Sequence, residues 1–178
     1  NDNGYNNAAG LLADKNQFPG IDIMKFGENI SIIQKRATFE NVSVLEEYDK
    51  TIDVFRDYYQ YEIIEGTDRK KMEKIPEAAF REAIANALIH RAWDVEARIR
   101  VLMFDDRIEI VTVGGLLKGI SVDDVKLGVS ALRNQNLANV FYRLKLIEAY
   151  GTGILKINES YNGYTVKPII EVSDNAFK

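Results

Sequence analysis

Three polar side chains on an otherwise apolar helix are the residues of this chain best suited to chemistry. They are Glu82, Asn86 and His90, in the segment IPEAAFREAIANALIHRAW (residues 75–93). Spaced four apart, they stack on one strip of the helix surface. Phe80, Ala83, Ile84, Ala87 and Leu88 make a core stripe, and Ala85 and Ile89 cover much of the opposite side. A helix this apolar is expected to be largely buried. A buried carboxylate and carboxamide then need partners, and a bound ligand with its metal ion would supply them. The alternative is a helix with one solvated polar strip. His90 is the only histidine and there is no cysteine, which argues against a His/Cys transition-metal site. His90 reads as a helix-end residue bordering a pocket. Trp93, the only tryptophan, lies just beyond it and is expected to report on that pocket.

Two strands should follow. ARIRVLMF (97–104) and RIEIVTV (107–113) join at Asp105-Asp106, and Ile108 and Ile110 alternate with Arg107 and Glu109 as a half-buried strand requires. The second runs into Gly114-Gly115, where backbone can approach a ligand closely. After a lid-length segment comes Tyr150-Gly151-Thr152-Gly153-Ile154, opening a helical pattern through Ile157 and Tyr161. A glycine turn that opens a helix presents unpaired N–H groups and the positive end of the helix dipole, which suits phosphate. Taken alone, either glycine pair could simply mark a turn or a cap, and Gly151 could end the helix before it.

The remaining elements form the frame. AAGLLAD, IDIMKFG and NISIIQK read as short strands between Asn, Pro and Gly breakers. Ser43-Val-Leu-Glu46 reads as a capping box opening a helix with the stripe Leu45, Tyr48, Ile52, Phe55 and Tyr59. Residues Leu137–Ala149 read as a helix with core positions Leu137, Val140, Phe141, Leu144 and Ile147, capped by Gly151. PIIEV near the carboxyl end is strand-like. The run Arg69-Lys70-Lys71, flanked by Asp68 and Glu73, reads as a solvated loop.

The chain's 178 residues suffice for one substantial core, and 46% hydrophobic with 28% charged residues is an ordinary globular balance. No stretch is apolar and long enough to span a membrane, and no secretory signal pattern is present. The absence of cysteine is compatible with the cytoplasm, which is the expected location. A net charge of −4 without a basic stripe argues against this segment being a main DNA-contacting surface. No Walker sequence occurs, so P-loop helicase chemistry is not expected here. The polar start without Met suggests a piece of a longer protein.

The order of polar-strip helix, hairpin, glycine turn, lid-length segment, glycine turn and helix resembles the GHKL fold of gyrases, Hsp90-type chaperones, histidine kinases and MutL. FREAIANALIHR, IRVLMFDDRIEI, VGGLLKGIS and LRNQNLANVFYRLKLIEAYGTGILKI are similar to the ATPase-like domain of bacterial transcriptional regulators labelled RecG-like helicase C-terminal. These usually carry an upstream Schlafen/AlbA-type DNA-binding domain. The resemblance implies an α/β (α+β) sandwich, a mixed sheet with helices on one face. It implies a small α+β connector over residues 1–65 and the ATPase-like domain over 66–178. It also implies ATP and Mg²⁺ as ligands, and DNA contacts only through domains outside this segment; a homodimer is left open.

Carried over residue by residue, Glu82 takes the place of the carboxylate that polarises the attacking water, and Asn86 that of the magnesium ligand. Gly151, Thr152 and Gly153 match the second glycine box, and Arg133 and Asn134 lie in the lid segment, where a cation could neutralise phosphate. Arg133 could equally be an ordinary surface arginine. The first glycine box departs from the family's Asp-x-Gly-x-Gly: Thr112 stands at the aspartate, followed by Gly114 and Gly115, with Leu116 at the second glycine. Thr112 offers adenine an uncharged acceptor. Two functions remain, an ATP/Mg²⁺-binding regulatory module with slow hydrolysis, and a non-catalytic module kept for domain assembly or dimerisation.

Overall fold

The computed structural model describes residues 7–129, 131–147 and 152–178. A short helix, α1 (Asn7–Leu12), precedes strands β1 (Ile21–Phe26) and β2 (Ile33–Phe39). Helix α2 (Val44–Tyr59) runs into a hairpin of β3 (Gln60–Glu65) and β4 (Asp68–Glu73), then into α3 (Glu77–His90). Strands β5 (Ile99–Met103) and β6 (Ile108–Val113) follow. The chain closes with α4 (Val122–Lys126), α5 (Gln135–Arg143), α6 (Gly153–Ser160) and β7 (Ala176–Phe177).

The main sheet has the order β2-β1-β5-β6-β7, with β1 parallel to β5 and its other pairings antiparallel. This is the expected mixed sheet. β1 and β2, from the stretch read as a connector, are hydrogen-bonded into the same sheet as β5 and β6. Side-chain alternation decides which face is covered. Ile21 and Ile23 stand opposite Ile99 and Val101, and all four are buried, whereas Arg100 between them is exposed. The same face continues on β6 through Ile110, paired with Val101, and Ile108, paired with Met103. Helices α2, α3 and α5 close that face with Tyr48, Ile52, Phe55, Phe80, Ile84, Leu88 and Phe141. The Phe55 ring stacks on both Phe80 (4.4 Å) and Tyr59 (5.3 Å). Each such side chain contributes about 1.5–3 kcal/mol on leaving water.

α3 begins at Glu77 because Pro76 has no N–H to give and the Glu73 carboxylate accepts from Glu77 N at 3.0 Å. Eight of the eleven residues from Ala79 to Ile89 are buried, as the composition predicts, and Glu82 is only 8% exposed. Glu82 is thus on the covered side of α3, and the solvated-strip alternative does not hold for it.

Several elements differ from the sequence reading. AAGLLAD is part of a helix, not a strand: Ala and Leu favour helix, and burying Leu11 against the core needs only one turn. β2 begins at Ile33, later than NISIIQK suggests, because Ile30 and Ile32 lie in an exposed turn. Arg69, Lys70 and Lys71 belong to a strand; Lys70 pairs with Glu65 and Arg69 with Glu62 across the hairpin. Only half the capping box of α2 forms: Ser43 accepts from Leu45 N, while Glu46 pairs with Lys50. α5 ends at Arg143, and Leu144 is 51% exposed instead of core. Lys145 adopts a left-handed conformation (φ 58°), Lys145 N donates to Tyr142 O and Leu146 N to Phe141 O, a Schellman stop without glycine. The cap expected at Gly151 lies outside the described residues. PIIEV forms no strand beyond a single bridge from Val172 to Phe177.

Candidate functional site

The polar strip of α3 is covered by the amino end of α6. Asn86 Nδ2 donates to Glu82 Oε1 at 3.2 Å. Gly153 sits on this pair so closely that a Cβ there would lie 2.7 Å from Asn86 Nδ2 and closer still to Glu82 Oε1. Any larger residue here would have to displace the ends of the Glu82 and Asn86 side chains. Sequence spacing put Glu82 and Asn86 on one strip, and tertiary packing puts the second glycine turn on top of them. Thr152 precedes α6 as its N-cap residue, and its Oγ1 is shielded from solvent with no hydrogen-bond partner among the described residues. Gly151 lies outside the described residues.

Asn86, His90, Thr112, Gly114, Gly115, Arg133 and Gly153 line one cavity of about 650 Å³ between α3, β6, α6 and the carboxyl-terminal segment. Glu82, Asn134 and Thr152 are not among its lining residues. The rest of its wall is mainly apolar, from residues that the sequence reading took for core or gave no site role: Ala79, Phe80 and Ala83 of α3, Ile108 and Ile110 of β6, and Ile157 of α6. The signal was the Ile108/Ile110 alternation, which marks an inward face without saying whether protein or ligand covers it.

Thr112 is buried, and its hydroxyl donates to the Ala87 carbonyl at 3.2 Å, tying β6 to α3. A hydroxyl oxygen that donates once can still accept. Gly114 holds a left-handed φ of 105° and its N–H donates to Asn175 O at 2.8 Å. A Cβ on Gly115 would lie 2.5 Å from Asp174 O. Within this structure the backbone that comes close to the first glycine turn is the chain's own carboxyl-terminal segment.

Arg133 and Asn134 grip the carboxyl end of α3. Arg133 Nε donates to His90 O (3.0 Å) and Nη2 to Gly115 O (2.9 Å). Asn134 Nδ2 donates to Ile89 O (2.6 Å) and Arg91 O (2.9 Å). The last carbonyls of a helix have no intrahelical donor, and these side chains supply one. Burial, and secondarily the Arg133 guanidinium, push the His90 pKa down, so the imidazole is neutral at pH 7. Trp93 packs edge-on to Phe18, under Arg91, and lines a separate hollow with Asp22 and Arg98. It is not a wall of the cavity.

Sequence reading gave no role to Arg91 and Glu47, both fully buried. Arg91 donates to the carbonyls of Pro19 and Ala97, fastening the start of β1 and the loop before β5 to the end of α3. The Glu47 carboxyl has no hydrogen-bond partner among the described residues, and burial raises its pKa to about 8 against the opposing pull of Arg91. Among the described residues no group of three His, Cys, Asp or Glu side chains could hold a metal, and no helix is long and apolar enough to cross a membrane.

The fold is a mixed α+β sheet with helices on one face and a glycine-opened helix on a Glu/Asn strip, consistent with the GHKL-like α/β fold. Residues 96–178 match the family described as "Putative ATP-dependent DNA helicase recG C-terminal". The chain is similar to the crystal structure of the DIP2311 protein from Corynebacterium diphtheriae, with a TM-score of 0.83 and 25% identity. That similarity covers 96% of this chain and 36% of the other, so this chain spans about a third of that protein's length. No curated protein matches. The RecG-like resemblance read from the sequence is borne out over residues 96–178, a span that does not include the Glu82/Asn86 helix.

Proposed function

We propose that this chain is an ATP/Mg²⁺-binding regulatory module of a bacterial transcriptional regulator, capable at most of slow hydrolysis. The observation that carries this reading is the meeting of Gly153 with Glu82 and Asn86 at the edge of a cavity that also holds Thr112, Gly114 and Gly115. The residues fit the ligand. Asn86 supplies the oxygen that magnesium needs, and with no cluster of three acidic or histidine ligands among the described residues, phosphate and water would complete the shell, as this ion prefers. Bound magnesium would neutralise phosphate charge. The unpartnered Thr152 hydroxyl and the N–H groups at the amino end of α6 are suited to donate to a phosphate oxygen. The resemblance gives Glu82 the role of base, taking the proton of a water that attacks the terminal phosphorus as the bond to the bridging oxygen breaks, leaving ADP and phosphate. Glu82 sits beside Asn86 but outside the cavity wall, so this role requires its side chain to turn toward the cavity.

Titration calorimetry with MgATP tests this reading. Saturable, magnesium-dependent heat that Asn86→Ala weakens at least about tenfold is expected. A flat titration at several millimolar MgATP would overturn it. The second reading, a non-catalytic assembly or dimerisation module, is favoured by the engagement of Arg133 and Asn134 with backbone carbonyls and by the uncharged Thr112. DNA contact is assigned to domains outside this segment.

A further inference from the structure

The cavity is long, and its two ends differ. Its wall on α3 passes from Ala79 through Ala83 to His90, roughly 16 Å by the rise of an α-helix. At the His90 end stand Thr112, tied to Ala87, and the first glycine turn, and Asn86 with Gly153 lies one turn back. The cavity residues assigned to the nucleotide are all at this end. The other end is walled by Ile75, Phe80, Ile108, Ile157 and Tyr161. Phe80 stacks on Phe55, Phe55 on Tyr59, and Tyr59 Oη donates to Phe104 O at the turn that opens β6. Tyr161, at the far end of α6 from Gly153, has its pKa raised by burial and by the neighbouring Tyr164 and Glu73, and Glu73 caps the start of α3.

A polyphosphate does not enter such walls, because charge taken from water into apolar surroundings loses its hydration without compensation. Nor is another anion drawn there. Arg107 is paired with Asp106 and Glu109, Lys178 with Glu109 and Glu171, Lys167 Nζ donates to Tyr161 O, and Lys74 is exposed to water. At about 650 Å³ the whole cavity is of small-molecule size, and apolar walls around a few polar groups are how such sites are built. We propose that the apolar end, from Ile75 and Phe80 to Ile157 and Tyr161, is a separate site for a neutral, ring-containing small molecule bound beside the nucleotide. Rings suit the faces and edges of Phe80 and Tyr161. The neighbour's identity rests on the nucleotide reading above; the apolar site stands without it. Its consequence is regulatory: α3, β6 and α6 wall both ends, and any coupling between the two ligands acts equally on each one's affinity.

The test uses the whole chain and the neutral probe N-phenyl-1-naphthylamine, whose emission rises when it leaves water. Saturable binding of one probe per chain is expected, with a dissociation constant on the order of micromolar, and saturating MgATP should leave the probe bound. Ile108→Phe and Ile157→Phe enlarge side chains on two different walls, and each should weaken probe binding at least about tenfold. Isoleucine-methyl NMR spectra of the wild type give a reading that no variant's folding can disturb. The probe's ring currents should shift Ile75, Ile108 and Ile157 and leave the core residues Ile21 and Ile99 in place. Shifts confined to the exposed Ile30, Ile32 and Ile64 would mean adsorption to the surface and would overturn the site, as would the absence of saturable binding. Complete, competitive displacement of the probe by MgATP would give the apolar end to the nucleotide, overturning the separate site and supporting the nucleotide reading. Probe binding beside a flat MgATP titration would uphold the apolar site and overturn the nucleotide reading alone.

Discussion

Asn134 closes the carboxyl end of α3 by donating to Ile89 O at 2.6 Å, from a position 45 residues further along the chain. Arg133 beside it holds His90 O and Gly115 O, so the segment after α4 fastens the polar-strip helix to the first glycine turn. Asn134→Ala leaves two helix-end carbonyls without these donors. It should lower stability by about 1–3 kcal/mol in urea unfolding, and a loss below about 0.5 kcal/mol would show that solvent replaces the amide.

Thr112→Val removes the hydroxyl that Ala87 O accepts and keeps the side chain's shape. A cost of about 1–2 kcal/mol is expected. Thr112→Asp, which restores the carboxylate of the family's first glycine box, sets an ionised acceptor against that same carbonyl at a buried position. It should destabilise more than the valine variant at pH 7, and by less at pH 4, where the carboxyl can take up a proton and donate. Equal stability of the two variants at pH 7 would mean that β6 shifts to relieve the contact.

Gly115→Ala forces a methyl against the Ser173 and Asp174 carbonyls. Because the obstacle is backbone, overpacking should cost about 1–3 kcal/mol and loosen residues 173–177, read as faster amide exchange there. A variant as stable as wild type would show that the carboxyl-terminal segment gives way freely.

Glu47 makes stability depend on pH. Its folded pKa of about 8 lies above the ordinary 4.5, so its contribution is fully present below about 4.5 and is lost as pH rises to about 8. Over that window the unfolded chain ionises first, and folding must take up a proton. Glu47→Gln, which mimics the protonated acid, should unfold close to wild type at pH 4.5 and be the more stable protein at pH 8.5. The ceiling on that gain is about 5 kcal/mol, at ~1.4 kcal/mol per pH unit. Parallel pH dependence of the two proteins would place the Glu47 carboxyl in contact with water.

The sequence by itself determined the elements whose pattern is local. Apolar spacing marked α2 and α3, alternation of Ile108 and Ile110 marked β6, and a spacing of four put Glu82 and Asn86 on one strip. The motif order carried the ATPase-like resemblance for the same reason, since it records how consecutive residues must turn. The end of α5 was not legible, because its stop uses a lysine in the conformation usually given to glycine. The β3–β4 hairpin was hidden by a run of charges that pair only across strands.

Tertiary structure alone decided what meets what. Gly153 on Glu82, Arg133 on His90 O and Thr112 on Ala87 O are contacts between segments far apart in the chain. A side chain's type says what it can donate or accept, and the neighbours that folding brings decide whether that capacity faces a ligand or a carbonyl. The buried Glu47 carboxyl shows the same limit. Read from sequence it is one more acid on a helix, and only packing against Gly20 and Arg91 takes it out of water.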